Sequence, residues 1–337
     1  MTGAPMQGWS SPAPAPAPAA GGTRGRATTN RGAPLSRRFL LGASLGAAVW
    51  TARAAAAAPL RVGSKLDIES ALLGQMMVLT LAARGVPTAD RLRLGTTRIV
   101  RAALLAGEID LYPEYTGNGA FFFRRDSDPV WKNPLAGYQR VRDLDRPNGI
   151  VWLRPADATN AWAIAVRGSV AAANGLATMA DFARWVGQGG TVRLAASAEF
   201  VQSPAALPAF ETTYGFKLRD EQLLVLAGGE TSAMLRAAAE GISSINAAMA
   251  YTTDGAIDAL SLVVMQDAEA AQIAFEPAPV IRVEALAQYP DVPAILAAVF
   301  GSLDVGVLRA LNEKIQVEGQ SVAQVAQDYL AAKGLAG

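Results

Sequence analysis

The chain has 337 residues, of which 51% are hydrophobic and 18% charged, enough to build two modest domains with their own cores. It contains no cysteine and no histidine. Disulfides, thiol nucleophiles, Ser-His-Asp and Cys-His catalytic systems and nearly all zinc sites are thereby excluded. The six arginines of residues 1–60 stand alone there. They leave 24 basic against 29 acidic residues from Arg61 onward. That mildly acidic body offers no field for nucleic acid.

Residues 1–35 are rich in Pro, Ala and Gly, include PAPAPAPAAGG and lack apolar periodicity, a disordered composition. In SRRFLLGASLGAAVW (36–50), Arg37 and Arg38 precede a twelve-residue apolar run from Phe39 to Trp50. That is the length of a signal-peptide core and short of the ~20 residues that span a bilayer. Alanines flanking Arg53 offer cleavage sites, and the paired arginines resemble a twin-arginine signal. Residues 1–58 are therefore expected to be a leader and export signal, and the mature protein periplasmic.

From Leu60 short apolar runs alternate with helical patterns. Leu60–Val62 predicts a strand, and Ile68–Arg84 a helix stopped by Gly85 and Pro87. Leu92 and Leu94 suggest a strand, Thr96 and Thr97 cap a helix through Leu105, and residues 109–111 suggest a third strand. This βαβαβ unit implies a parallel sheet covered by helices. After Trp152–Ala161, an aperiodic stretch that reads as a hinge, strands are expected at 162–166, 192–195, 222–226 and 245–250. Helices are expected at 181–185, 205–214 and 232–240. Two helical stripes close the chain, Val307, Leu308, Leu311, Ile315 and Val322, Val325, Ala326, Leu330. The fold class is α/β.

Ligands of open α/β sheets bind beyond the carboxyl ends of the strands. Three such junctions carry polar groups. VGSKLDIES (62–70) brings Lys65 to a helix start that suits an anion, and LGTTRIV (94–100) brings Thr97, a residue that also suits a plain helix cap. DLYPEYTGNGAFFF (110–123) brings Tyr112, Tyr115 and Thr116, with Phe121–Phe123 read as core. Ring faces attract quaternary ammonium groups, which donate no hydrogen bonds. Aromatic rings beside an anion-friendly helix start thus point to a small zwitterion or quaternary-ammonium cation.

The segments GSKLDIESALLGQMM, LRLGTTRIVRAALLAGEIDLYPEYTGNGAFFF, NAWAIAVR, LAASAEF and INAAMAYTTDG resemble the glycine betaine/choline-binding family, the substrate-binding proteins of osmoprotectant ABC importers. LPAFETTYGFKL and LAGGETSAMLRAAAE make the chain most similar to the Gram-negative periplasmic branch. The resemblance covers essentially residues 60–337. It implies a type II periplasmic binding protein: two α/β lobes, a two-crossover hinge and a ligand trapped by closure. Residues 59–161 and 258–337 would form one lobe and 162–257 the other. It further implies a monomeric, non-enzymatic receptor without cofactor or metal, working with a membrane permease.

Carried over by position, Lys65 and Thr116 match contacts to a ligand carboxylate, and Tyr112 or Tyr115 a cage ring. Trp162 stands where the family usually has tyrosine, and Tyr214 and Tyr251 match further rings. Two departures weaken the pattern. Ser203 stands where many relatives place a carboxylate-clamping arginine, and Ala233 or Met234 where a tyrosine is common. The alternatives are a receptor of the same fold for another zwitterion, a ligand sensor, and a secreted enzyme using Asp110 and Glu114 as acid and base.

Overall fold

A computed structural model describes residues 58–226 and 231–336. Apart from Ala58, the expected leader lies outside the described residues. Among the described residues, ten strands form two five-stranded sheets. Their ranges are β1 Leu60–Lys65, β2 Thr88–Gly95, β3 Leu111–Tyr115, β4 Ile150–Trp152, β5 Trp162–Arg167, β6 Leu194–Ser197, β7 Leu223–Leu226, β8 Ala247–Tyr251, β9 Leu262–Val264 and β10 Pro277–Arg282. The first sheet has the order β2-β1-β3-β10-β4 and the second β7-β6-β8-β5-β9. In each, three parallel strands are extended by two that run antiparallel to their neighbours, so the sheets share one layout.

The chain passes from the first sheet to the second between Trp152 and Trp162, the stretch expected as a hinge, and returns between Val264 and Pro277. The return comes later than residue 258, because β9 pairs with β5 and belongs to the second sheet. The two crossing segments are bonded to each other. Ala156 N–H donates to the Pro277 carbonyl and Asn160 N–H to the Phe275 carbonyl, each at 2.9 Å. Phe275 N–H donates to Thr159 Oγ1 at 2.9 Å.

The helix Ile68–Ala83 starts where Asp67 accepts from the Ser70 N–H. It is buried on more than one side, with Leu72, Leu73, Met76 and Met77 inaccessible, since it lies between the first sheet and the C-terminal helices Val305–Gln316 and Val322–Ala332. The expected stripes of those helices supply Leu308, Leu311, Val325, Ala326 and Leu330 to that core. The second sheet has its own core, built on β5, β6 and β8 and closed by Phe182, Phe200 and Phe210.

Beyond β8 the chain touches the helix Val305–Gln316. A Cβ on Gly255 would lie 2.2 Å from the Glu313 nitrogen, so only glycine allows the approach. Asn312 Nδ2 donates to the Thr253 carbonyl at 2.9 Å, and Gly255 N–H to Gln316 Oε1 at 3.0 Å. The connection between β8 and β9 is thus fastened to a helix packed on the first sheet.

Candidate functional site

The carboxyl ends of β1, β3 and β8 and the start of β5 converge on a cavity of about 580 Å³, the size range of small-molecule sites. Of the residues expected to bind ligand, Lys65, Thr97, Tyr115, Trp162 and Tyr251 line it. Trp162 and Tyr251 are cross-strand partners on β5 and β8, which puts both rings on one face. The Trp162 ring rests edge-on against Phe200 at 6.3 Å. Burial pushes the Tyr251 phenol up, opposed in part by a hydrogen bond with the Trp162 side chain.

Tyr112, Thr116 and Tyr214 do not line the cavity, and each has a physical reason. Tyr112 and Tyr115 are three residues apart on β3, so their side chains leave opposite faces. Tyr112 is fully buried in the first lobe, where its hydroxyl donates to Glu114 Oε2 at 2.9 Å. Thr116 ties the end of β3 to the returning segment, its hydroxyl donating to the Ala274 carbonyl and accepting from the Glu276 N–H at 3.1 Å. Tyr214 donates its hydroxyl to Asp267 at 2.6 Å and accepts from the Glu269 N–H.

Phe121, expected in the core, is half exposed and lines the cavity, as does Phe275 from the returning segment; Phe122 and Phe123 do pack on the core. Ser203 ends the short helix Ala198–Gln202 away from the lining, and Met234 is core.

Lys65 is not the open anion anchor that its place at a helix start suggests. Its ammonium forms a buried ion pair with Glu114 and lies 4.4 Å from the centre of the Tyr115 ring. Glu114 also accepts from Asn118 Nδ2 and the Tyr115 N–H, each at 2.7 Å. The helix start itself carries Asp67 as cap and Glu69 in its first turn.

Glu69, missed in the sequence reading, is the hub at the cavity base. Its carboxylate accepts from the Tyr115 hydroxyl at 2.7 Å, Asn160 Nδ2 at 3.0 Å and Asn312 Nδ2 at 2.8 Å. It therefore joins the first lobe, a crossing segment and the C-terminal helix. Burial raises its pKa, against hydrogen bonds from Thr253, Tyr115, Asn312 and Asn160. Burial and then the Glu69 charge hold the Tyr115 phenol well above its ordinary range. Glu69 lies within the GSKLDIES motif, but its partners Tyr115, Asn160 and Asn312 lie far along the chain, and nothing local signals them.

Residues 58–332 match the family model described as the substrate-binding domain of ABC-type glycine betaine transport systems. The chain is 51% identical over 280 residues to the glycine betaine-binding protein YehZ of Escherichia coli (strain K12), covering 83% of this chain and 92% of that protein. The apo structure of Escherichia coli YehZ superposes with a TM-score of 0.77 over 83% of this chain and all of that one. A glycine betaine/carnitine/choline ABC transporter structure, 18% identical, superposes at 0.72 over 82% of this chain and all of that one, and shares the two-lobed periplasmic binding protein fold. With the matched region spanning both sheets and the cavity between them, the chain belongs to the substrate-binding family of ABC-type glycine betaine transport systems.

Proposed function

We propose that the mature chain is a periplasmic receptor that captures a quaternary-ammonium osmolyte and delivers it to the permease of an ABC importer. The observation that carries this reading is the aromatic lining of the cavity. Trp162 and Tyr251 come from one lobe, and Tyr115, Phe121 and Phe275 from the other or the segment returning to it. Rings on both sides of a cleft hold a trimethylammonium head that cannot donate hydrogen bonds, at ~0.5–2 kcal/mol per contact. Closure of the two lobes over the head brings the rings together.

Asp110 and Glu114, the acid and base of the enzyme alternative, are both held in ion pairs. Asp110 is held by Arg61 at 2.6 Å and lies outside this cavity, and Glu114 is held by Lys65. The receptor acts as a monomer in this reading, and export through the twin-arginine-type signal precedes capture.

Calorimetric titration of the purified protein with glycine betaine, choline and carnitine tests the proposal, with proline as a ligand lacking a trimethylammonium head. Saturable binding of at least one trimethylammonium compound is expected. Binding of proline alone, or of none of the four at millimolar concentration, would contradict it.

A further inference from the structure

The two crossing segments are bonded to each other near Asn160 and Phe275. One such patch, taken alone, leaves two lobes free to twist as well as to bend. The connection that follows β8 restricts that freedom. Residues 252–255 belong to the second lobe, since they leave β8 and enter the helix Ala256–Ala259, whose Ala256 and Ile257 lie in that lobe's core. On one side they hold the outgoing crossing segment. Thr252 Oγ1 donates to the Thr159 carbonyl and accepts from the Ala161 N–H at 3.1 Å, and the Thr252 N–H donates to the Ala161 carbonyl at 3.0 Å.

On the other side they hold the helix Val305–Gln316, which Leu308 and Leu311 bury in the core of the first lobe. Arg309 Nε donates to the Thr252 carbonyl at 2.8 Å. Asn312 Nδ2 is shared between the two lobes, 2.9 Å from the Thr253 carbonyl and 2.8 Å from Glu69 Oε2. Asn312 and Thr253 are 2% and 1% exposed, so parting them would leave a donor and an acceptor unpaired out of reach of water.

The bonds make one continuous chain. It runs from Phe275 through Thr159 and Asn160 to Thr252, and on through Asn312 and Gln316 to Gly255. Asn160, Thr253, Asn312 and Gln316 place it along the wall of the ligand cavity. Rotation of the lobes about that chain bends its bonds slightly and breaks none. Rotation about another axis pulls Asn312 from Thr253 or Arg309 from Thr252.

We infer that the lobes open and close about this chain, with Asn312 as the positioning residue that fixes the axis. The contact between residues 252–255 and the helix Val305–Gln316 is then a further fixed point of the hinge, kept in the open and the closed receptor alike. The inference rests on the two-lobed fold and not on the identity of the ligand. The carboxyl ends of β2, the edge strand of the first sheet, and of β6 lie off the axis and travel farther.

The chain has no cysteine, so introduced cysteine pairs carry spin labels without background. Leu94→Cys/Gln202→Cys reports on the lips of the cleft, and Ala259→Cys/Ala310→Cys on the fixed point; all four positions are exposed. On adding glycine betaine or choline, the lip distance is expected to shorten by more than about 2 Å while the Ala259–Ala310 distance holds within that margin. Without ligand, Asn312→Ala is expected to broaden the spread of lip distances by about 2 Å or more. Arg309→Ala, which leaves the cavity lining intact, is expected to do the same if Asn312→Ala fails to fold. An Ala259–Ala310 distance that changes as much as the lip distance would show the contact breaking on closure and overturn the inference. So would a lip distribution that neither variant alters. If neither compound binds, the receptor reading falls, and the ligand-free comparison of the variants still decides this one.

Discussion

Trp162 and Tyr251 face each other across the antiparallel pair β5–β8, in direct register, with both rings on the lining of the cavity between the two sheets. Trp162→Ala is expected to weaken binding of a trimethylammonium ligand about tenfold or more, the worth of one desolvated ring face. Trp162→Phe should recover part of the loss, because it keeps a ring against Phe200. Titration of both variants checks this, and equal affinity in wild type and Trp162→Ala would contradict it.

Tyr112→Phe separates core from cage. The hydroxyl removed serves Glu114, and its loss should cost about 1–2 kcal/mol of stability while leaving ligand affinity unchanged. Urea denaturation and titration of the same preparation give both numbers. A drop in affinity without a drop in stability would return Tyr112 to the cage.

Asp145 is fully buried and accepts from Arg101 at 2.7 and 2.5 Å, from Trp152 Nε1 at 2.7 Å and from Asn148 Nδ2 at 2.9 Å. Asp145→Ala strands the Arg101 guanidinium and is expected to cost about 3–5 kcal/mol in denaturant unfolding. Binding by the folded fraction should survive, since neither residue lines the cavity.

Glu276 lies on the segment returning from the second sheet, and burial, then the Asp157 charge on the other crossing segment, raises its pKa from 4.5 to about 7. Across that interval the folded chain binds a proton that the unfolded chain has released, so this group's contribution to stability falls as pH rises from about 4.5 to about 7. Glu276→Gln removes the dependence. The Tm difference, variant minus wild type, should therefore grow more positive between about pH 5 and about pH 8. Partial exposure of the carboxylate screens the effect, and parallel melting profiles across that range would refute it.

The βαβαβ opening, the middle strands and the C-terminal stripes were legible because each repeats a single clean period. Strand β10 was not. Pro277 and Pro279 argue against a central strand, yet their carbonyls accept from Ala156 and Leu153, and antiparallel pairing to β3 and β4 carries the rest. Aromatic identity pointed to three of the rings that line the cavity, Tyr115, Trp162 and Tyr251. The parity of β3 decides between Tyr112 and Tyr115, and the residues alone do not say where that strand ends. The pairing of Lys65 with Glu114, 49 residues apart, and the three-way junction at Glu69 are products of tertiary folding with no local signature.

The most direct measurement is a crystal structure of the protein grown with choline. The head group is expected within about 6 Å of the Trp162 and Tyr251 ring centres, with the two lobes closed over it. Ligand density outside the cavity between the sheets, or a trimethylammonium head remote from both rings, would contradict the account.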